Sequence, residues 1–185
     1  MRNRSAPALL AVILISVAGC SSPPPADRRP LGSVTTPPVE CGLISNQAIG
    51  RAIGLSDFYA SGSTSANDFS HCVVSKSPSI RDKASMTVEL QDPFPSTLQS
   101  LENGKARDRG VALPSGVGPG YSAAIKDTDG NIVGAKAFAW TQDGTKMLAI
   151  QIVKGAPGRD HQADAVEFVR QLRPLLLTSA PQQPR

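Results

Sequence analysis

Residues 1–19 constrain the fold most, because they take themselves out of it. Arg2 and Arg4 give a positively charged start, and residues 6–17 (APALLAVILISV) form an uncharged, mostly apolar run. Crossing about 30 Å of hydrocarbon takes roughly 20 apolar residues, and this run is shorter. A basic start, a short apolar run and small residues at its end are the layout of a cleaved export signal. Such a signal is left out of the fold, and the domain behind it is expected in an oxidising compartment.

The run leads into Val17-Ala18-Gly19-Cys20. Small residues before a cysteine resemble the lipobox of bacterial lipoproteins. That resemblance implies cleavage before Cys20, a lipid on its sulfur, and a place on the extracytoplasmic face of the cell membrane. Acyl chains contribute about 0.8 kcal/mol per buried methylene, and two or more on one cysteine make a durable anchor.

With Cys20 assigned to lipid, Cys41 and Cys72 remain. Two cysteines in an exported domain are expected to pair. A metal site is the weaker reading. There is no C-x-x-C, and Cys41, His71 and Cys72 lack zinc spacing.

Residues 20–40 read as a spacer carrying the lipid. Pro23, Pro24, Pro25, Pro30, Pro37 and Pro38 stand among Ser, Thr and Gly. Proline locks its backbone angle and has no N–H to give a ladder, so the stretch should be extended and poor in regular structure. At about 3.1 Å per residue it would reach roughly 60 Å. Residues 179–185, rich in Pro and Gln, read as a disordered tail. Residues 41–178 are left as one domain of ordinary size.

The charge of that domain excludes one class of partner. It holds seven Lys and seven Arg against thirteen Asp and Glu, a net of one positive charge. Nucleic-acid binding needs a basic patch with stacking aromatics, and the few aromatics here are scattered.

Apolar spacing sets the elements. Ser45 caps a short helix with Ala48, Ile49, Ala52 and Ile53 on one face, and Gly54 suits its left-handed end. Residues 61–68 read as a loop and 69–75 as a strand carrying Cys72. Residues 85–91 alternate Met86, Val88 and Leu90 against Thr87 and Glu89, a half-buried strand. Ser96 caps a second helix to about Arg107, with Leu98 and Leu101 inward and Gly104 as a weak point. Residues 111–120 read as a Gly/Pro loop. Residues 121–126, 131–140 and 147–153 are strands joined by turns at Asp127-Thr128-Asp129-Gly130 and Asp143-Gly144, since Asp-Gly supplies the positive φ that hairpin turns need. A helix from about 159 to 173 presents Ala165, Val166, Phe168, Val169 and Leu172, and Pro174 is expected to end it. The sum is an α+β two-layer sandwich: about five mostly antiparallel strands, one face covered by helices and the other partly wet.

The ordered features resemble a known group. They are the lipobox, the Pro/Ser/Thr spacer, Cys41-Gly42-Leu43-Ile44-Ser45 opening a helix, His71-Cys72-Val73-Val74 in a strand, Gly116-Val117-Gly118, a hairpin and a C-terminal helix. They are similar to exported lipoproteins of mycobacteria and related actinobacteria built on a domain of unknown function. Such proteins often carry tryptophan after the second cysteine, where this chain has Val73. The resemblance implies a cell-envelope location and supplies no active-site residues.

Three chemistries were open to test by spacing. Asp127-Thr128-Asp129-Gly130-Asn131 starts like a calcium loop, but an EF-hand needs glycine sixth and Glu twelfth, and here glycine is fourth and Phe138 twelfth. It reads as a hairpin turn. Gly116-Val117-Gly118-Pro119-Gly120 lacks the Gly-Lys-Ser/Thr of a phosphate loop and precedes a strand. Hydrolysis needs a nucleophile, a base and an orienting acid. No Gly-x-Ser-x-Gly is present, His71 abuts the cysteine pair, and His161 reads as a solvated helix residue near Asp160 and Asp164.

These readings favour a lipid-anchored, non-enzymatic binding or accessory module with no cofactor and no metal. Its ligand would lie between helices and sheet or in loops 55–67 and 111–120, and an envelope protein would use the exposed sheet face. A lipid or glycolipid carrier lined by the Leu, Ile and Val of the helix faces is the second reading. An envelope hydrolase using His161 is the third.

Overall fold

The computed structural model describes residues 29–79 and 83–178. Within them the helices are α1 (Asn46–Ile53), α2 (Leu98–Arg107) and α3 (His161–Leu176). The strands are β1 (Val39–Glu40), β2 (Ile44–Ser45), β3 (Tyr59–Gly62), β4 (His71–Ser75), β5 (Met86–Gln91), β6 (Val111–Ala112), β7 (Gly120–Lys126), β8 (Ile132–Trp140) and β9 (Met147–Ile152). β1 and β2 pair with each other. The rest form one antiparallel sheet in the order β3-β4-β5-β9-β8-β7-β6. The fold is α+β. The expected export signal, Cys20 and the tail 179–185 lie outside the described residues.

The five strands expected from alternation are β4, β5, β7, β8 and β9, and they form the middle of the sheet. The count of about five falls short because two edges were added. β3 pairs Tyr59 with Ser75 and Gly62 with Cys72. β6 pairs Val111 with Ser122. Neither carries apolar alternation; each exists because a neighbouring strand offers its backbone groups.

Side-chain alternation splits the sheet into two faces. Met86, Val88, Leu148, Ile150, Ile152, Ala135, Ala137 and Ala139 point to one face and are at most 1% exposed. There they meet Ile49 and Ala52 of α1 and Ala165, Phe168, Val169 and Leu172 of α3 in one core. The alanine row on β8 lets α3 sit close. On the other face Leu101 of α2 packs with Tyr121, Ala123, Trp140, Met147 and Ala149. α2 thus covers one half of the second face, and the half made by β4 and β5 stays open.

Four local expectations change. Thr97, not Ser96, caps α2, its side chain accepting from the Ser100 N–H. Leu98 is 42% exposed, because it opens the helix beyond the sheet, beside the turn at Gly144. Gly104 does not weaken α2: it is buried where the Tyr121 hydroxyl approaches, 3.2 Å from the position of an added Cβ. α3 runs through Pro174 to Leu176. Proline deletes one N–H near the end of a helix, and the buried Leu172, Leu176 and Leu177 hold that last turn down.

The stretch read as a spacer is also partly structural. Leu31 and Val34 are 1% and 0% exposed and belong to the main core. The Val34 N–H donates to Gln171 Oε1 at 2.9 Å, and Gln171 Nε2 donates to the Gly32 carbonyl at 2.7 Å. This strap crosses α3 and reaches β2, where the Ser45 N–H donates to the Val34 carbonyl. Cys41 and Cys72 are disulfide-bonded with Cα atoms 5.6 Å apart, which pins the β1–β2 turn to β4.

Candidate functional site

The residues singled out by sequence do not converge. His71 stands on the open sheet face opposite Glu89, its Nδ1 3.1 Å from Ser70 Oγ. Asp127 is spent on its own turn: its Oδ1 accepts from the Asp129 and Asn131 N–H groups. Loop 111–120 is packed down, with Leu113 and Val117 in the core and Gly118 against the Arg173 guanidinium. The apolar helix faces offered as a carrier lining fill the core instead. Among the described residues no three His, Cys, Asp or Glu side chains are grouped to hold a metal, and no helix is long and apolar enough to cross a membrane.

His161 is where the structure departs most from the sequence. It was expected in solvent and is 8% exposed. The residue opens α3, and Asp160 caps that helix by accepting from the Ala163 N–H at 3.0 Å. The cap fixes the direction of the first turn and turns the imidazole onto Gly155. Any Cβ at 155 would lie 2.1 Å from Nδ1, so only glycine admits the ring. Nδ1 is buried there without a hydrogen-bond partner among the described residues. Burial pushes the imidazole below its ordinary pKa; Asp164 and Asp160 oppose the shift, and Arg159 adds to it. The shift favours the neutral ring.

Arg159 lies beside it. Its Nε donates to Asp164 Oδ2 at 2.7 Å and its Nη2 to Asp164 Oδ1 at 2.6 Å, a two-pronged pair whose side chains are 11% and 4% exposed. Nη2 also donates to the Arg29 carbonyl at 2.8 Å. Gln162 Nε2 donates to Ser122 Oγ on β7 at 2.9 Å, fastening the same turn to the sheet.

Two clefts flank Arg159. One, of about 350 Å³, is lined by Ala124 and Ile132 on the sheet side and by residues 158–162 on the helix side. The other, of about 390 Å³, is lined by Arg29, Pro30, Arg51 and Arg159. The first offers an apolar wall and an imidazole. The second offers guanidinium groups.

Sequence reasoning missed both. Arg29, Arg51 and Arg159 are far apart along the chain and make no motif. The one local signal was Gly155-Ala156-Pro157-Gly158 before a capped helix, a run that permits close backbone approach to a side chain. Compared with protein-family models, with curated proteins and with solved structures, the chain matches none.

Proposed function

We propose that the protein is a non-enzymatic binding module, tethered by lipid on Cys20 to the extracytoplasmic face of a membrane. Its ligand lies in the cleft between the first turn of α3 and Ala124 and Ile132. One observation carries this reading: His161 is more than nine-tenths buried and lines a cleft that is apolar on its other side. Concave sites with an apolar wall and a few fixed polar groups are where small ligands bind. The lipobox and the ordered cysteine pair support placing the chain with the exported actinobacterial lipoproteins.

Binding is favoured over turnover by how the neighbours are used. Both Asp164 oxygens are held by Arg159, so that carboxylate does not orient the imidazole as a catalytic acid would. On the sheet, Ser122 Oγ accepts from Gln162. A base without an orienting acid and a nucleophile is suited to hydrogen-bonding a ligand.

A fragment library of small aliphatic and aromatic amides, followed by amide NMR, tests the site. Shifts should gather at residues 124, 132 and 158–162 and vanish in Ile132→Arg. Hits that cluster elsewhere and ignore that substitution would reject the cleft.

A further inference from the structure

A third cleft lies at the far end of α3 from His161. Thr141, Gln142 and Asp143, between β8 and β9, line it together with Arg173 in the last turn of the helix and Leu177 at its C-cap. Gly118 makes room for the guanidinium. Its φ is +104°, and an added Cβ would lie 2.7 Å from Arg173 Cζ, so a side chain at 118 would push the group aside. The loop carrying Gly118 is held by Leu113 and Val117 in the core and by the Trp140 N–H, which donates to the Pro119 carbonyl at 3.2 Å. Arg173 is placed, yet nothing pairs with it. Its Nε is buried without an acceptor, and among the described residues its side chain makes no hydrogen bond or ion pair. A buried charged donor left unpaired is costly, and such groups are few in folded proteins.

Asp143 brings the opposite charge and is only half used. Its Oδ1 accepts from Thr141 Oγ1 at 2.5 Å, from the Thr145 N–H at 3.0 Å and from Thr145 Oγ1 at 2.8 Å. All three bonds go to Oδ1, which leaves Oδ2 open to a further donor. The Thr141 hydroxyl foremost, then Thr145, hold the carboxyl at a pKa of about 2, so it is charged at neutral pH. Arg173 and Asp143 thus border one cleft of about 260 Å³ without pairing with each other. A lone anion entering beside Arg173 would meet Asp143, and a lone cation would meet Arg173. A ligand carrying both charges close together answers both. The volume suits a small one, being below the roughly 300–1,000 Å³ of sites for drug-sized ligands.

We propose that this cleft binds a free amino acid by its zwitterionic end, Arg173 taking the carboxylate and Asp143 the ammonium. A guanidinium fork matches the two oxygens of a carboxylate, and an ammonium is a donor only. The site depends neither on the His161 cleft nor on the Cys20 anchor.

NMR of the isotope-labelled full chain at neutral pH tests this through the backbone amides and the Arg173 Nε–H signal. The probes are L-alanine and L-leucine, with propionate, which lacks the ammonium, and ethylamine, which lacks the carboxylate. The amino acids should shift the Arg173 Nε–H and the amides of Gly118, Gln142 and Asp143, and leave β5 unshifted. Propionate and ethylamine should each bind at least about tenfold more weakly. Arg173→Gln should weaken amino-acid binding about tenfold. Asp143→Asn, whose amide oxygen can still accept the Thr141 and Thr145 bonds, should do the same. Arg173→Lys keeps the charge, loses the fork and should fall between; it also serves where Arg173→Gln does not fold, as judged by the β5 amides. Propionate or ethylamine binding as tightly as the amino acids, or no effect of Asp143→Asn, would overturn the zwitterion assignment. No shift from either amino acid at tens of millimolar, or unchanged binding in the folded Arg173 variants, would overturn the site.

Discussion

Arg159 occupies both carboxylate oxygens of Asp164, at 2.7 and 2.6 Å, and by doing so keeps Asp164 from the imidazole of His161. Both partners are nearly buried, and breaking a buried pair from one side leaves an uncompensated charge. Asp164→Asn should destabilise the fold by about 3 kcal/mol in urea unfolding. Replacing both, as Arg159→Met with Asp164→Leu, should recover most of that loss. Equal losses in the single and double variants would show that packing, not charge, is what the pair supplies.

The buried imidazole makes stability depend on pH in a definite sense. The folded-state pKa of His161 lies below its ordinary value of 6.5. Above that value both folded and unfolded chains hold the ring neutral, and this residue adds no pH dependence. As pH falls below it, the unfolded chain takes up a proton that the folded chain resists, so stability falls with pH until the folded pKa is passed. His161→Gln should flatten this part of the curve. Urea unfolding from neutral to mildly acidic pH, compared between the two proteins, reads the difference directly. Parallel curves would mean that the ring is not held neutral by its burial.

Gly155 is required by the ring. An added Cβ would stand 2.1 Å from His161 Nδ1, and something must shift. Gly155→Ala should cost about 1–3 kcal/mol through overpacking. His161→Ala removes the ring, so the double variant should be more stable than the sum of the two losses implies. Strict additivity in thermal unfolding would place the cause in the loop backbone instead.

The sheet centre and all three helices were legible because their signals are local. Met86, Val88 and Leu90 alternate within one strand, and Ala165, Phe168, Val169 and Leu172 recur at helical spacing. What stayed hidden is set by contacts between distant residues. β3 and β6 have no apolar pattern and exist through pairing. Pro174 reads as a stop, yet the buried leucines around it carry the helix onward. The polarity of histidine argues for solvent, and only the glycine-rich approach at residue 155 lets His161 go under. The arginine cleft depends on three residues that no window along the chain contains together.

The strap gives the sharpest contrast with the spacer reading. Prolines around Leu31 and Val34 argue for an extended segment, and the segment is indeed irregular until β1. Extended backbone still buries side chains when its carbonyls and N–H groups find partners. Here Gln171 serves both the Val34 N–H and the Gly32 carbonyl, and Arg51 serves the Leu31 carbonyl. Two apolar side chains are then committed to the core at 1% and 0% exposure. Leu31→Ala should lower stability by about 3 kcal/mol, as buried leucine truncations do. Gln171→Ala, which leaves the Val34 N–H without its acceptor, should lower it by about 1–2 kcal/mol. Both are measured by urea unfolding at neutral pH. Since the same strap carries Arg29 and orients Arg51, the two variants should also speed hydrogen exchange at residues 29–34. Wild-type stability in Leu31→Ala would return residues 29–40 to the role of a simple spacer.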